Sequence, residues 1–137
     1  MKTRKPTSIV RLALVAIVLL ALPAATLAAT TGPGPSNKWR VEFSGGAESD
    51  GTIVLKVTPK GGESLEASID IKKGAGENHV AKLVVEGLKA QLPKEAYHVE
   101  RDDGEDVLIK KKRGAADFVV EITSNTVKGV RIRPEHE

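Results

Sequence analysis

From Trp39 onward the apolar residues alternate with polar ones in seven short stretches. In one stretch only, between Gly76 and Pro93, they fall three and four apart. Strict alternation is the signature of a half-buried strand, and a spacing of three and four is that of an amphipathic helix. A chain with period two nearly everywhere and a helical period once must fold as sheet with a single helix. Trp39–Ser44 turns Trp39, Val41 and Phe43 to one side, Thr52–Thr58 does so with Ile53, Leu55 and Val57, and Leu65–Ile71 with Leu65, Ala67, Ile69 and Ile71. After the helix come Ala96–Arg101 (Tyr97, Val99), Asp106–Lys112 (Val107, Ile109), Asp117–Thr123 (Phe118, Val120, Ile122) and Lys128–Arg133 (Val130, Ile132).

The breaks are turn sequences: 45–51 ending in Asp-Gly, Pro59-Lys60-Gly61-Gly62, and Asp102-Asp103-Gly104-Glu105. Within the helix, Val80, Leu83, Val84 and Leu88 form the stripe, with Gly87 and Leu92 beside it and Lys82, Glu86 and Lys89 opposite. Glu77 or Asn78 is the expected cap, and Pro93 the stop. Glycine in a helix interior costs about 1 kcal/mol against alanine, so Gly87 predicts close packing onto a strand.

Seven strands spaced about 4.8 Å apart span roughly 30 Å, whereas a helix about 10 Å across covers only two or three of them. The sheet must therefore curl, or split into layers, to bury the rest. The expected fold is α+β: a strongly curved, mostly antiparallel sheet of six or seven strands with one amphipathic helix, in the order β-β-β-α-β-β-β-β. It forms a single domain over residues 39–134, with Pro134 ending the last strand and 135–137 a disordered tail.

The first 28 residues read as a secretory signal peptide: a basic start, an apolar core from Leu12 to Leu22, Pro23, then small residues before a cut after Ala28. The chain carries 21 Lys and Arg against 18 Asp and Glu. Lys2, Arg4, Lys5 and Arg11 lie in the leader, which holds no acid, so the mature chain has 17 basic residues against 18 acidic ones. The basic isoelectric point is thus a property of the leader and argues for no nucleic-acid partner. Residues 29–38, rich in Pro and Gly, read as a flexible linker. The expected location is exported, periplasmic or secreted, with no membrane contact after cleavage. There is no cysteine, which excludes disulfides, thiol nucleophiles and cysteine metal sites.

Catalytic grammar is missing. His79, His98 and His136 share no metal-binding spacing. No serine lies in G-x-S-x-G, and no glycine pair opens a phosphate loop. Asp102, Asp103, Glu105 and Asp106 could offer hard oxygen ligands to calcium, but Asp-Gly at a hairpin has its own backbone reasons. The basic run Lys110–Arg113 is split between two faces by alternation, and aromatic platforms for nucleic acid are too few. The expectation is no catalytic residue, no metal and no cofactor. Val54, Leu108 and Val119 break the polar face of their strands. Brought together on neighbouring strands, they would form a small patch for a protein partner.

Three stretches carry a resemblance: D-G-T-I-V-L-K-V from Asp50, S-I-D-I-K-K-G-x-G-E-N-x-V-A-K-L-V from Ser68, and Y-H-V-E-x-D-D-G-E-D-V-L-I from Tyr97. Together they resemble the β-β-α-β-β modules of bacterial surface and phage tail proteins. That resemblance implies a structural or binding unit and not an enzyme. The functional expectation is a small exported binding or structural domain acting through a sheet edge or face. An exported inhibitor or accessory subunit, inserting loop 45–51 or 60–63 into a cleft, is the first alternative. A small hydrolase built on His79 or His98 is the second.

Overall fold

A computed structural model describes residues 32–137; the predicted leader, residues 1–28, lies outside the described residues. The elements are β1 (Lys38–Ser44), β2 (Gly51–Pro59), β3 (Leu65–Ile71), α1 (Glu77–Gln91), β4 (Tyr97–Asp102), β5 (Asp106–Lys111), β6 (Phe118–Asn125) and β7 (Arg131–His136). The fold is α+β, every strand pairing is antiparallel, and the element order is the expected one. The single curved sheet is not what forms. The strands divide into a four-stranded sheet, β4-β5-β1-β7, and a three-stranded sheet, β3-β2-β6. One helix cannot cover seven strands, so the two sheets bury their apolar faces against each other and α1 fills the side between β3 and β4.

The core is the sum of the alternating residues. Trp39, Val41, Phe43, Ile53, Leu55, Val57, Val107, Ile109 and Phe118 are all fully buried. Trp39 Nε1 donates to Phe118 O at 2.7 Å and so ties β1 of one sheet to β6 of the other. The Tyr97 ring meets Phe118 edge-on, 5.1 Å between centroids.

The helix differs in detail from the sequence reading. Its buried residues are Val80, Ala81, Val84, Val85 and Leu88, whereas Leu83 is half-buried. The stripe is rotated toward Ala81 and Val85 because the helix is wedged between two sheets and not laid on one. The cap is Gly76, with no side-chain hydrogen bond. Glu77 instead accepts from the Gly45 amide at 3.2 Å. Gly87 does lie against a strand: a Cβ there would sit 2.6 Å from Ile69 Cγ1 of β3.

The C-terminal end is a second correction. Pro134 lies inside β7, opposite Val41, and the strand runs on to His136. The Glu137 amide donates to Lys38 O, so 135–137 are part of the sheet and not a tail. At the N-terminal side, Ser36 already bridges Phe118, two residues before β1. The ordered domain thus begins inside the segment expected to be linker.

All turns collect at two ends. Segments 45–50, 72–76, 103–105 and 126–130 form the crown; segments 32–37, 60–64, 92–96, 112–117 and the C-terminus form the base. The helix runs from crown to base, and β4 returns from base to crown.

Candidate functional site

The expected patch does not assemble. Leu108 lies on β5 in the four-stranded sheet, whereas Val54 and Val119 lie on β2 and β6 in the other. Leu108 is only 4% exposed. It points outward, as alternation says, between Arg40 of β1 and Glu100 of β4, and those long side chains cover it. Val54 and Val119 are half-buried. Val119 pairs with Thr58, four residues along β2 from Val54, or about 13 Å at 3.3 Å per residue.

The outer face around Leu108 is a mesh of ion pairs. Arg40 reaches Asp106 at 2.7 Å, Glu137 at 2.7 Å and Asp102 at 3.5 Å. Lys38 also pairs with Glu137, and Lys110 with Glu100. His98 Nε2 lies 3.2 Å from Glu100. Glu137 and then Asp106 hold the Arg40 guanidinium protonated well above its ordinary range, while Lys38 first and then Arg40 push the Glu137 carboxyl down. Glu100 is lowered by Lys110 and then His98. Asp102 and Asp106, half of the acidic cluster, are therefore spent on Arg40. No group of three or more His, Asp or Glu able to hold a metal occurs among the described residues. The turn itself is a hairpin with Asp103 and Gly104 at φ 44° and 78°, the left-handed backbone that Asp and Gly tolerate.

His79 stands in the first turn of α1 at the crown, and His98 on β4 near the base. No hydroxyl joins either ring among the described hydrogen bonds, and the Glu100 carboxylate beside His98 is shared with Lys110. His136 packs edge-on to Trp39, 5.6 Å between centroids. Loop 45–51 does not project: Ala47 exchanges backbone hydrogen bonds with Gly74 and Ala75, the Glu48 amide donates to Lys128 O, and the Lys73 amide donates to Asp50 Oδ1.

The strand edges are more informative, because two sheets have four of them. On β3, the outward-pointing Ser68 amide and carbonyl are both taken by the Gln91 side chain, at 3.0 and 2.9 Å. On β6, Phe118 N–H and C=O are taken by Ser36, and a bulge opposite Val54 and Leu55 breaks the register. On β7, Pro134 removes a donor from the centre of the edge. A covered edge, a bulge and an edge proline are the standard defences against unwanted strand pairing.

β4 has α1 beside it but carries no bulge, no proline and no side-chain cap on its outward groups among the described residues. Lys112 N–H donates to Ala96 O, while Lys111 N–H donates to Asn37 O on the other side of β5. By antiparallel alternation, His98, Glu100 and Asp102 exchange bonds with β5, and Tyr97, Val99 and Arg101 aim their amides and carbonyls away from it. The Tyr97 amide donates to Pro93 O. The amides of Val99 and Arg101 and the carbonyls of Tyr97 and Val99 have no partner among the described residues. Tyr97 and Val99 border a cleft of about 530 Å³ between β4 and the second half of α1, inside the roughly 300–1,000 Å³ range of binding sites. Leu88, Leu92, Tyr97 and Val99 supply its apolar side, and burial pushes the Tyr97 phenol pKa up. Lys89, Lys94, His98 and Lys112 stand around it against a single acid, Glu86.

Comparison with known proteins returns no matching family model and no matching curated sequence.

Proposed function

We propose that this chain is a small exported, non-enzymatic binding module that takes an extended segment of a partner protein as an added strand along β4. One observation carries the reading: among the described residues three of the four strand edges carry a side-chain cap, a bulge or a proline, and the fourth, β4, carries none of these and borders the apolar cleft. Adding a strand supplies backbone hydrogen bonds for affinity, while alternate side chains enter the neighbouring pocket for specificity. The resemblance to surface and tail modules fits a binding unit. The reading as an inhibitor has less support through loop 45–51, which is stitched to segments 72–76 and 126–130; it would have to rest on the exposed loop 60–63.

Random hexapeptides, displayed both within a loop and at a free carboxy terminus, are selected against the full chain. Amide hydrogen exchange is then followed with and without the selected peptides. In the free protein, Val99 and Arg101 should exchange faster than His98 and Glu100. Binding should protect Val99 and Arg101. Selected peptides that leave both amides exchanging as before, or a selection that yields nothing, would remove the proposal.

A further inference from the structure

The β4 cleft has a direction, and its charge is concentrated at one end. The strand starts at Tyr97, beside the base, and rises to Asp102 at the crown. Lys94 precedes it in the turn after α1, and Lys112 is held next to that turn by its backbone bond to Ala96 O. Lys94 and Lys112 are exposed and have no acidic partner among the described residues. Toward the crown the space narrows, as Arg101 Nη1 reaches Asn78 O at 3.5 Å and Asn78 packs on Gly104.

A segment pairing antiparallel to β4 must run from crown to base. Its last residues therefore arrive at the Lys94 and Lys112 end. A segment pairing parallel would bring its amino terminus there, positive charge to positive charge. We infer that the occupant of this cleft is the free carboxy-terminal end of a partner chain, paired antiparallel to β4. Its carboxylate lies between Lys94 and Lys112, and an apolar side chain near the end lies against Leu88, Leu92 and Val99. This rests on the edge-pairing reading above and adds the partner's terminus to it. The short free stretch fits a chain end: along β4, Tyr97 to Arg101 offers the groups without a partner among the described residues, enough for three or four residues of an added strand. Glu137 of this chain is not that occupant. The Glu137 amide is bound to Lys38, and its side chain to Lys38 and Arg40, on the outer face.

The test uses the full chain and synthetic copies of the peptides selected at a free carboxy terminus. Each copy is made with a free carboxylate and with a carboxy-terminal amide. The free acid should bind at least fivefold more tightly, and the preference should vanish in the Lys94→Glu/Lys112→Glu variant. That variant should keep its urea midpoint, since both side chains are exposed. Equal binding of acid and amide, with Val99 still protected, would overturn the inference and leave edge pairing standing. Binding without Val99 protection would overturn both. A second copy of this chain is the rival occupant. Self-association that protects the Val99 amide in the absence of peptide, seen by sedimentation at rising protein concentration, would also overturn the inference.

Discussion

Gly87→Ala separates two forces that act in opposite directions. In an ordinary helix interior, alanine in place of glycine stabilises by about 0.8–1.0 kcal/mol, because the unfolded chain loses freedom. At position 87 the new methyl carbon would lie 2.6 Å from Ile69 Cγ1, and Ile69 is 5% exposed and packed in the core. Carbon atoms in contact prefer about 3.5–4.0 Å, so helix and strand must part by roughly an ångström. Overpacking of that kind costs about 1–3 kcal/mol. Parting them also strains the Gln91 pair on Ser68, one turn along. The net expectation is a loss of about 0–2 kcal/mol where propensity alone gives a gain. In an Ile69→Ala background, itself destabilised by about 2–5 kcal/mol, the obstruction is gone. There Gly87→Ala should stabilise by close to 1 kcal/mol. The four proteins form a double-mutant cycle read by urea unfolding, with an expected coupling of about 1–3 kcal/mol. Gly87→Ala that stabilises equally in both backgrounds would show that α1 does not approach β3 as described, and the covered edge would be lost with it.

Other expectations are simpler. Pro134→Val restores an outward amide to β7; it should cost only about 0.4–1 kcal/mol but raise self-association, seen by light scattering, and an unchanged monomer would deny that Pro134 guards that edge. Trp39→Phe removes the indole donor to Phe118 O and leaves a small void, so about 1–3 kcal/mol of stability should be lost in urea titration; no loss would deny the tie between the sheets. The Glu100 and Glu137 pKa values are both lowered in the folded state. The unfolded chain therefore binds protons first as pH falls through the ordinary carboxylate range near 4.5, and the stability these groups contribute above it is lost toward their folded values. The melting temperature should fall with pH in that window, the fall should shrink in salt, and Glu137→Gln should flatten it. A slope unchanged by Glu137→Gln would deny the pairing with Lys38 and Arg40.

Alternation decided most of the architecture. Which side of Trp39, Ile53 or Val107 faces the core is local information, since side chains on a strand alternate by construction. Gly87 was legible for a related reason: its cost inside a helix has no local compensation, which points to a neighbour. Pro134 was misread because the same rule has two outcomes. A proline ends a strand that is paired on both sides, but is tolerated where its missing amide faces an open edge, and β7 is an edge only because β1 lies between it and β5. Leu108 failed similarly. Alternation places it outward correctly, but whether an outward residue is exposed depends on the length of the side chains beside it, here Arg40 and Glu100.

The candidate site was the least legible part, because its polar groups are backbone. Val99 shows an apolar side chain on the core face and nothing else in the sequence. That its amide is free follows from two facts about its neighbours: Lys112, just past β5, and the β5 residues in phase with it spend their bonds on the β4 side, and no strand lies beyond β4 among the described residues. Sequence cues mark edges that have been defended, as Pro134 and Gln91 show. An edge left open leaves no residue to find, and only the pairing of every other strand reveals it.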